Sequence, residues 1–193
     1  MEKYILGFIA FISSTLIFAQ NQTVGRSEQV LSVPVAMTAT DSIQITDLEG
    51  LQKVLDKSAK PYKVLYFFSP ACSSSLYLFP KIYKLYSQHS ALFDFIAISG
   101  FRYDRIPEMS SYMKYNGFRL PVYVLDTKKY GNGKNPFKRL DLVSTTFCQE
   151  CKVKKMGFSA FFVLDSHNKV VAHTNWDLSG EESYNLLVTS LMK

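Results

Sequence analysis

The sequence predicts an α/β domain in which one mixed β-sheet carries helices on both faces. Short apolar runs of buried-strand type alternate with segments of helical periodicity, an order that favours a sheet covered on both sides. Two apolar runs near the C-terminus flank a tight turn, which adds an antiparallel pair. The chain has 193 residues, of which 47% are hydrophobic and 20% charged. That length and composition support one full core and exclude a disordered chain.

The first 41 residues are not expected to belong to this domain. Residues 1–19 combine a lysine, an apolar run from Tyr4 to Phe18 and the small residue Ala19, which is the layout of a secretory signal peptide. We therefore expect cleavage near Ala19 and export to the periplasm, with an uncleaved membrane anchor as the lesser alternative because the run is shorter than a usual span. Residues 20–41 have no clear period and indicate an N-terminal arm or linker before the domain at 42–193.

The first half of the domain alternates strands with helices. The capping-box pair Thr46 and Glu49 predicts the start of the first helix. Pro61 and Ser69-Pro70 bound an aromatic run that is typical of a buried strand, and Pro80 predicts a kink in the helix that follows. The predicted elements are strands at 42–45, 63–68, 93–99 and 120–126 and helices at 47–58, 72–87 and 105–116.

The second half begins with a segment of loop composition. Residues 127–140 hold two glycines, a proline and five basic residues, and they predict a long polar loop. A helix carrying Cys148 and Cys151 is expected next. The triplet Ser166-His167-Asn168 indicates a tight turn, and a second capping box from Ser179 predicts the last helix. The remaining elements are strands at 158–165 and 169–173 and a last helix with Tyr184, Leu187, Val188 and Leu191 facing inward.

The end of the aromatic strand leads directly to a cysteine. The run Phe67-Phe68-Ser69-Pro70-Ala71 places Cys72 in the first turn of a helix, where unpaired backbone N–H groups and the helix dipole favour an anion. A thiolate is such an anion, and cysteines so placed tend to have lowered pKa values and raised reactivity. The residues fit equally well a small buried cysteine that only packs at the start of the helix.

This stretch resembles the active-site motif of the thioredoxin superfamily, and especially of its exported TlpA and ResA type. That motif has an aromatic pair, a Cys-x-x-Cys, and a proline five residues after the second cysteine. The corresponding residues here are Phe67-Phe68, Cys72, Ser73, Ser74, Ser75 and Pro80. The order of the later elements is similar too, so the resemblance covers about 42–193. It implies a thioredoxin-like three-layer sandwich and thiol–disulfide exchange with protein thiols or disulfides.

Three departures from the family pattern bear on this function. Ser75 stands in place of the resolving cysteine, Ser159 in place of the cis-proline, and Tyr66 in place of a buried acid that many members have. Pro121, which also precedes an apolar run, is taken as the start of an additional strand. A second thiol releases the mixed disulfide of a dithiol site, and a serine cannot do this. We therefore expect Cys72 to act as a monothiol or with sulfur from elsewhere, and we expect a trans peptide at the Ser159 loop.

Cys148 and Cys151 are the other candidate catalytic thiols. Residues three apart on a helix share a face, so these two can form a disulfide or bind a metal jointly. Three interpretations stay open: a structural disulfide in a redox-inactive binding or scaffold module, a redox partnership with Cys72, and unrelated free thiols. His167 and His173 complete a faint Cys2His2 pattern. Because they are expected at a hairpin tip and at a strand end, we predict no metal and no other cofactor.

The net charge of +6 is concentrated in one segment. Between Asp126 and Lys155 there are eight Lys and Arg residues against three acidic residues. The plain interpretation is a solvated loop and helix face; the functional one is that the segment 128–155 attracts an acidic partner. A nucleic-acid partner is not expected for an exported chain without a recognised binding motif, and neither is a stable membrane anchor.

Overall fold

The computed structural model describes residues 43–149, 151, 157–174 and 177–193. The predicted signal peptide at 1–19 and the arm at 20–41 lie outside the described residues. Among the described residues, no helix combines the length and the apolar character needed to cross a membrane.

Six strands and six α-helices make up the described part of the chain. The strands are β1 (Ile43–Thr46), β2 (Tyr62–Phe67), β3 (Phe93–Ser99), β4 (Val122–Leu125), β5 (Phe161–Leu164) and β6 (Val170–His173). The helices are α1 (Leu48–Lys57), α2 (Ser73–Gln88), α3 (Ile106–Tyr115), α4 (Thr127–Tyr130), α5 (Phe137–Phe147) and α6 (Gly180–Leu191), with a 3-10 turn at Tyr103–Arg105.

The six strands form one mixed sheet in the order β1-β4-β3-β2-β5-β6. The pairs β1–β4, β4–β3 and β3–β2 are parallel, whereas β2–β5 and β5–β6 are antiparallel. The predicted mixed sheet with a closing antiparallel hairpin is therefore confirmed. Strand β2 lies inside the sheet, and five of its six residues are buried. Its end at Phe67 fixes where the chain enters α2.

Two cores lie on opposite faces of the sheet, as the alternation of side chains along a strand requires. On β2, Val64 and Tyr66 face a core formed with α2, α3 and α6. Leu65 and Phe67 face a second core formed with α1 and α5. The arrangement is a three-layer sandwich in which helices cover both faces of the sheet.

The predicted capping box at the start of α1 is wrong by one residue. The N-cap is Asp47, whose side chain accepts a hydrogen bond from the backbone N–H of Gly50 at 2.7 Å. Thr46 is instead the last residue of β1, and Glu49 pairs with Lys53 one turn further along the helix. An aspartate satisfies the free N–H groups of the first turn as well as a threonine does.

The prediction of one long polar loop over 127–140 is also wrong. The Asp126 carboxylate accepts from the backbone N–H of Lys128 and starts the short helix α4. Pro136 stands directly before α5, which begins at Phe137. Both residues are helix-start signals, which the glycines and lysines around them obscured.

The predicted helix carrying Cys148 and Cys151 ends before either cysteine. Helix α5 stops at Phe147, and Cys148 has extended backbone angles, with φ −149° and ψ 100°. The hydroxyls of Thr145 and Thr146 donate to helix carbonyls one turn back, a local bonding that weakens a helix at its end. The two cysteines are joined by a turn, in which the N–H of Cys151 donates to the carbonyl of Cys148 at 3.1 Å.

The C-terminal hairpin and last helix lie where they were predicted, but β5 begins at Phe161, three residues later than expected. Asn168 has the positive φ of 62° expected in a tight turn between β5 and β6. The capping box of Ser179 and Glu182 opens α6, with both reciprocal hydrogen bonds present. On the inward face of this helix Leu187 and Leu191 are buried, while the other two predicted residues are partly buried.

Candidate active site

Cys72 is the N-cap residue of α2 and carries a free thiol. Its carbonyl accepts the first helical hydrogen bond, from the N–H of Leu76 at 2.9 Å, while its side chain makes no capping bond. The thiol is partly buried. The sequence-based expectation that β2 delivers this cysteine to a helix start is confirmed. The N–H groups of the first turn of α2 are therefore available to a negative charge on its sulfur.

The loop containing Ser159 lies against the end of β2. The N–H of Phe67 donates to the carbonyl of Ala160 at 2.8 Å, and the N–H of Ser159 donates to the carbonyl of Phe67 at 2.9 Å. Ser159 has a left-handed φ of 76°, which costs a non-glycine residue roughly 1–2 kcal/mol. The peptide bonds of the described residues are all trans, as expected for this loop without its proline.

Cys72 and the Ser159 loop face a common cavity of about 290 Å³. Its mouth is open to solvent on one side and its wall combines hydroxyl groups with aromatic rings. The walls include Cys72, Ser74, Phe137, Phe158, Ser159 and Thr174. The structure thus brings together two of the predicted site residues, Cys72 and Ser159, at one open cavity.

Ser75, which the resemblance aligns with a second cysteine, is fully buried and hydrogen-bonded. Its hydroxyl accepts from the N–H of Ser69 at 3.1 Å, and the phenol of Tyr66 donates to the carbonyl and hydroxyl of Ser75 at 3.1 and 3.2 Å. Burial raises the pKa of Tyr66, an effect that the bond to Ser75 only partly offsets, so the phenol stays protonated and donates. Ser75 therefore holds the loop between β2 and α2.

The other motif residues lie around this arrangement. Ser73 and Ser74 are exposed in the first turn of α2, and both also line a surface groove against Glu181 at the start of α6. Pro80 is partly buried inside α2, which runs unbroken through it.

Solved structures with the same arrangement of elements are thioredoxin-like proteins. A thioredoxin-like protein solved in solution in its oxidised form superposes with a TM-score of 0.50 at 10% identity, over 69% of this chain and 79% of that chain. The thioredoxin domain of a thiol-disulfide oxidoreductase from Bacteroides vulgatus superposes with a TM-score of 0.50 at 18% identity, over 75% and 89%. This chain has a thioredoxin-like fold.

A third neighbour is a thiol-disulfide isomerase from Corynebacterium glutamicum, with a TM-score of 0.50 at 15% identity over 72% of this chain and 84% of that chain. No family profile and no curated protein sequence matches the chain. At these identities the likeness shows the fold, and the chemistry rests on the residues of the site.

In this thioredoxin-like fold, Cys148 and Cys151 form a disulfide on the face of the sheet that α1 and α5 cover. Both are buried, with 5% and 3% of their surface exposed, and they pack in the core beside α1 and α5. Neither cysteine lines the cavity at Cys72. Helix α2 packs on one face of the sheet and α5 on the other. The disulfide lies in the layer of α5, and Cys72 at the start of α2 faces a cavity whose wall includes Phe137 from that same layer.

His173, at the end of β6, is the residue that sequence reasoning set aside. One ligand atom from each of Cys148, Cys151 and His173 lies within 4.8 Å of the others. His167 is exposed at the hairpin tip, where its ring contacts the hydroxyl of Ser166. Both histidines lie where they were expected, at the hairpin tip and at the strand end. His173 nevertheless approaches the disulfide, because β6 is the edge strand of the sheet.

No local sequence motif predicts the cavity-wall residues Phe137 and Thr174. Phe137 packs against Phe158, with ring centroids 4.9 Å apart and a tilt of 36° between the rings. The buried hydroxyl of Thr174 accepts from the N–H of Phe161 at 3.0 Å. Each reaches the site through the packing of elements distant in sequence, which local patterns do not encode.

In the described part of the basic segment 128–155, fewer basic side chains are available to a partner than the composition indicates. Lys129 pairs with Asp47 at 2.6 Å. Arg139 is 2% exposed, and its guanidinium donates to the carbonyls of Gly100, Gly131 and Gly133 at 2.7 to 2.9 Å. Two of the eight basic residues therefore serve the fold.

Proposed function

We propose that this protein exchanges thiols and disulfides with partner proteins through Cys72, acting as a monothiol. The observation that carries the proposal is the position of its free thiol, at the start of α2 and in the wall of an open cavity shared with the Ser159 loop. The names of two structural neighbours, a thiol-disulfide oxidoreductase and a thiol-disulfide isomerase, support the same class of chemistry.

The first step is attack by the Cys72 thiolate on one sulfur of a partner disulfide. The partner S–S bond breaks, a new S–S bond joins Cys72 to the partner, and the leaving sulfur departs as a thiolate that takes a proton from water. The free N–H groups at the start of α2 stabilise the attacking thiolate.

Release of the mixed disulfide needs a thiol from outside the motif, because Ser75 has none. When a different thiol of the same partner attacks, it forms a new disulfide in the partner and frees Cys72, so the partner leaves with rearranged disulfides and no net oxidation or reduction. Attack by the thiol just liberated only restores the original disulfide. When a low-molecular-weight thiol attacks and a second such thiol completes the reduction, the partner leaves reduced and that thiol becomes its own disulfide. Isomerisation needs no external reductant, so the single thiol favours it.

We further propose that the chain is an exported protein of the TlpA and ResA type. Residues 1–19 would be the cleaved signal peptide, 20–41 an arm and 42–193 the domain. The signal-peptide layout and the positions of Cys72 and Pro80 support this assignment. A buried disulfide is also what a protein of an oxidising compartment can keep.

A redox-inactive binding or scaffold module is the second candidate function. The observation that favours it is the pairing state of the thiols: Cys148 and Cys151 are bonded and buried, and Ser75 is engaged in structural hydrogen bonds. In this alternative Cys72 is inert and the cavity binds a partner without covalent chemistry. Because Cys148 and Cys151 are already bonded to each other, their pairing argues against the version of the redox proposal in which one of them resolves the mixed disulfide.

The deciding experiment measures the reactivity of Cys72 in the folded protein with the Cys148–Cys151 bond intact. We expect iodoacetamide to alkylate Cys72 faster than it alkylates a free cysteine peptide at neutral pH. We also expect glutathione disulfide to form a mixed disulfide at Cys72 that a Cys72→Ser variant lacks. Labelling no faster than that of the peptide, with no mixed disulfide formed, would establish the scaffold alternative.

A further inference from the structure

The disulfide and His173 form a cluster of metal-ligating side chains, none of which lines the Cys72 cavity. One ligand atom from each of Cys148, Cys151 and His173 lies within 4.8 Å of the others. The two cysteines are buried, whereas His173 is exposed on the edge strand. The cluster is therefore closed towards the core and open towards solvent on the side of the imidazole.

The ring of His173 keeps one nitrogen with a lone pair that can bind a metal. Its Nδ1 lies 3.1 Å from the carbonyl oxygen of Thr174, and a carbonyl only accepts, so Nδ1 carries the hydrogen. The lone pair of the neutral imidazole is then on Nε2. Metal-bound histidines commonly show this arrangement, with the second nitrogen donating to a carbonyl. The ring also meets Phe162 edge to face, at 84° and 6.4 Å between centroids, which restricts its rotation.

The backbone holds the two cysteines close together independently of their sulfur bond. The N–H of Cys148 donates to the carbonyl of Ser144 at 2.7 Å and ties it to the end of α5. The N–H of Cys151 donates to the carbonyl of Cys148 at 3.1 Å and closes the turn. Their Cα atoms lie 5.2 Å apart. Two thiolates so placed can bind one tetrahedral ion, in which Zn–S bonds of about 2.3 Å separate the sulfurs by about 4 Å.

We propose that Cys148, Cys151 and His173 form a redox-gated zinc site. In the disulfide form the sulfurs are bonded to each other and hold no ion. Reduction by a dithiol, which becomes a disulfide, gives two thiols. Zn²⁺ then displaces their two protons and binds two thiolates and Nε2 of His173, with water in the fourth position. Two soft sulfur ligands and one imidazole suit Zn²⁺ among the divalent ions.

The test compares zinc binding by the oxidised and the reduced full chain, with zinc alone as the probe. A phosphine reductant opens the disulfide, becoming its oxide with oxygen from water, and a thiol assay verifies three free thiols per chain. We expect one zinc per reduced chain, none per oxidised chain, and release of two protons on binding. Co²⁺ in place of zinc should give thiolate-to-cobalt charge-transfer bands and the visible bands of a tetrahedral site.

Variants assign the ligands. We expect His173→Ala, which leaves the cysteines intact, to weaken zinc binding by the reduced chain at least tenfold. His167→Ala at the hairpin tip and Cys72→Ser are matched controls that should leave the affinity unchanged. The proposal is overturned if the reduced, folded chain binds no zinc, if His173→Ala binds as tightly as the parent, if Cys72→Ser abolishes binding, or if the disulfide resists reduction until the protein unfolds.

Discussion

Ser75, three residues after Cys72, has a structural role. It accepts a backbone hydrogen bond from Ser69 and the phenol hydrogen of Tyr66, all in a buried setting. A sulfur atom is a weaker acceptor than a hydroxyl oxygen, so a cysteine here would hold the loop less well. A serine at position 75 thus holds the loop in place and leaves Cys72 without a neighbouring thiol in its own helix turn.

Ser75→Cys should convert the monothiol into a dithiol site. An N-cap side chain reaches the residue three positions later, as in a capping box, so a thiol at position 75 stands within reach of Cys72. We expect the glutathione mixed disulfide at Cys72, which persists in the parent, to be released in this variant as Cys72 forms a disulfide with the introduced thiol. The lost hydrogen bonds should lower the free energy of unfolding by about 1 kcal/mol.

Ser73→Cys is the matched control for that variant. It adds the same thiol at an exposed position that is not at capping-box spacing and does not line the Cys72 cavity. Mass spectrometry after glutathione disulfide treatment should find the mixed disulfide retained in Ser73→Cys. Equal persistence of the adduct in Ser75→Cys and in the parent would contradict the assignment of position 75.

Helix α5 is anchored to the rest of the molecule at its first turn. A Cβ atom at Gly100 would lie 2.4 Å from the carbonyl oxygen of Pro136, so the chain after β3 passes directly under the start of the helix. The guanidinium of Arg139 then ties the start of the helix to two neighbouring loops through hydrogen bonds to three backbone carbonyls. Burial and the nearby Arg102 lower the pKa of the guanidinium. Because Phe137 belongs to the same turn, this anchor also sets one wall of the Cys72 cavity.

Arg139→Ala should therefore destabilise the protein strongly. It leaves three carbonyls without their donor and opens a space in the second layer, and each unsatisfied buried group costs about 1–3 kcal/mol. We expect a loss of about 3 kcal/mol or more in the free energy of unfolding, measured by urea denaturation. Lys138→Ala, an exposed neighbour of the same charge, should change it by less than about 0.5 kcal/mol. Similar losses in the two variants would show that Arg139 does not anchor the helix.

Strongly periodic elements could be predicted from the sequence, whereas the elements around the site could be predicted only in part. The aromatic run of β2 and the inward residues of α6 carry their own periodicity, so their bounds differ from the predictions by about one residue. The segment 127–140 was misassigned because its glycines and lysines outweigh two helix starts. The approach of His173 to the disulfide depends on β6 lying at the sheet edge, which no local pattern states.

At the scale of the whole molecule, the chain has two sulfur sites. Cys72 lies at the start of α2, which packs in one core, and the disulfide packs in the other core beside α5. Asp47, Asp165 and Glu182 lie at helix starts and turns rather than in either core, and each accepts a hydrogen bond that lowers its pKa. The hydrogen bond from Lys129 lowers the pKa of Asp47, the N–H of Lys169 that of Asp165, and the N–H of Ser179 that of Glu182.

Acid should therefore destabilise the folded protein. A carboxyl whose pKa is lower when folded contributes stability above its unfolded pKa of about 4, and this contribution is lost as the pH falls through the folded value. We expect the urea midpoint to fall steadily between about pH 5 and about pH 2. Glu182→Gln, which keeps an acceptor for the capping bond but carries no charge, should show a smaller fall. A midpoint independent of pH over this range would contradict the linkage.

Loss of the Cys148–Cys151 bond should leave the fold intact. The closed loop spans only four residues, so the chain-entropy model gives it a contribution of about 2 kcal/mol, well below that of a bond closing a long loop. Both cores lie on a six-stranded sheet that is complete without it. We expect the reduced Cys72→Ser variant to unfold cooperatively in urea with a free energy about 2 kcal/mol lower than when oxidised, and to keep its near-ultraviolet circular dichroism. Cooperative unfolding lost on reduction would mean that the disulfide holds the second layer in place, and a zinc site that requires its reduction could not then form in a folded chain.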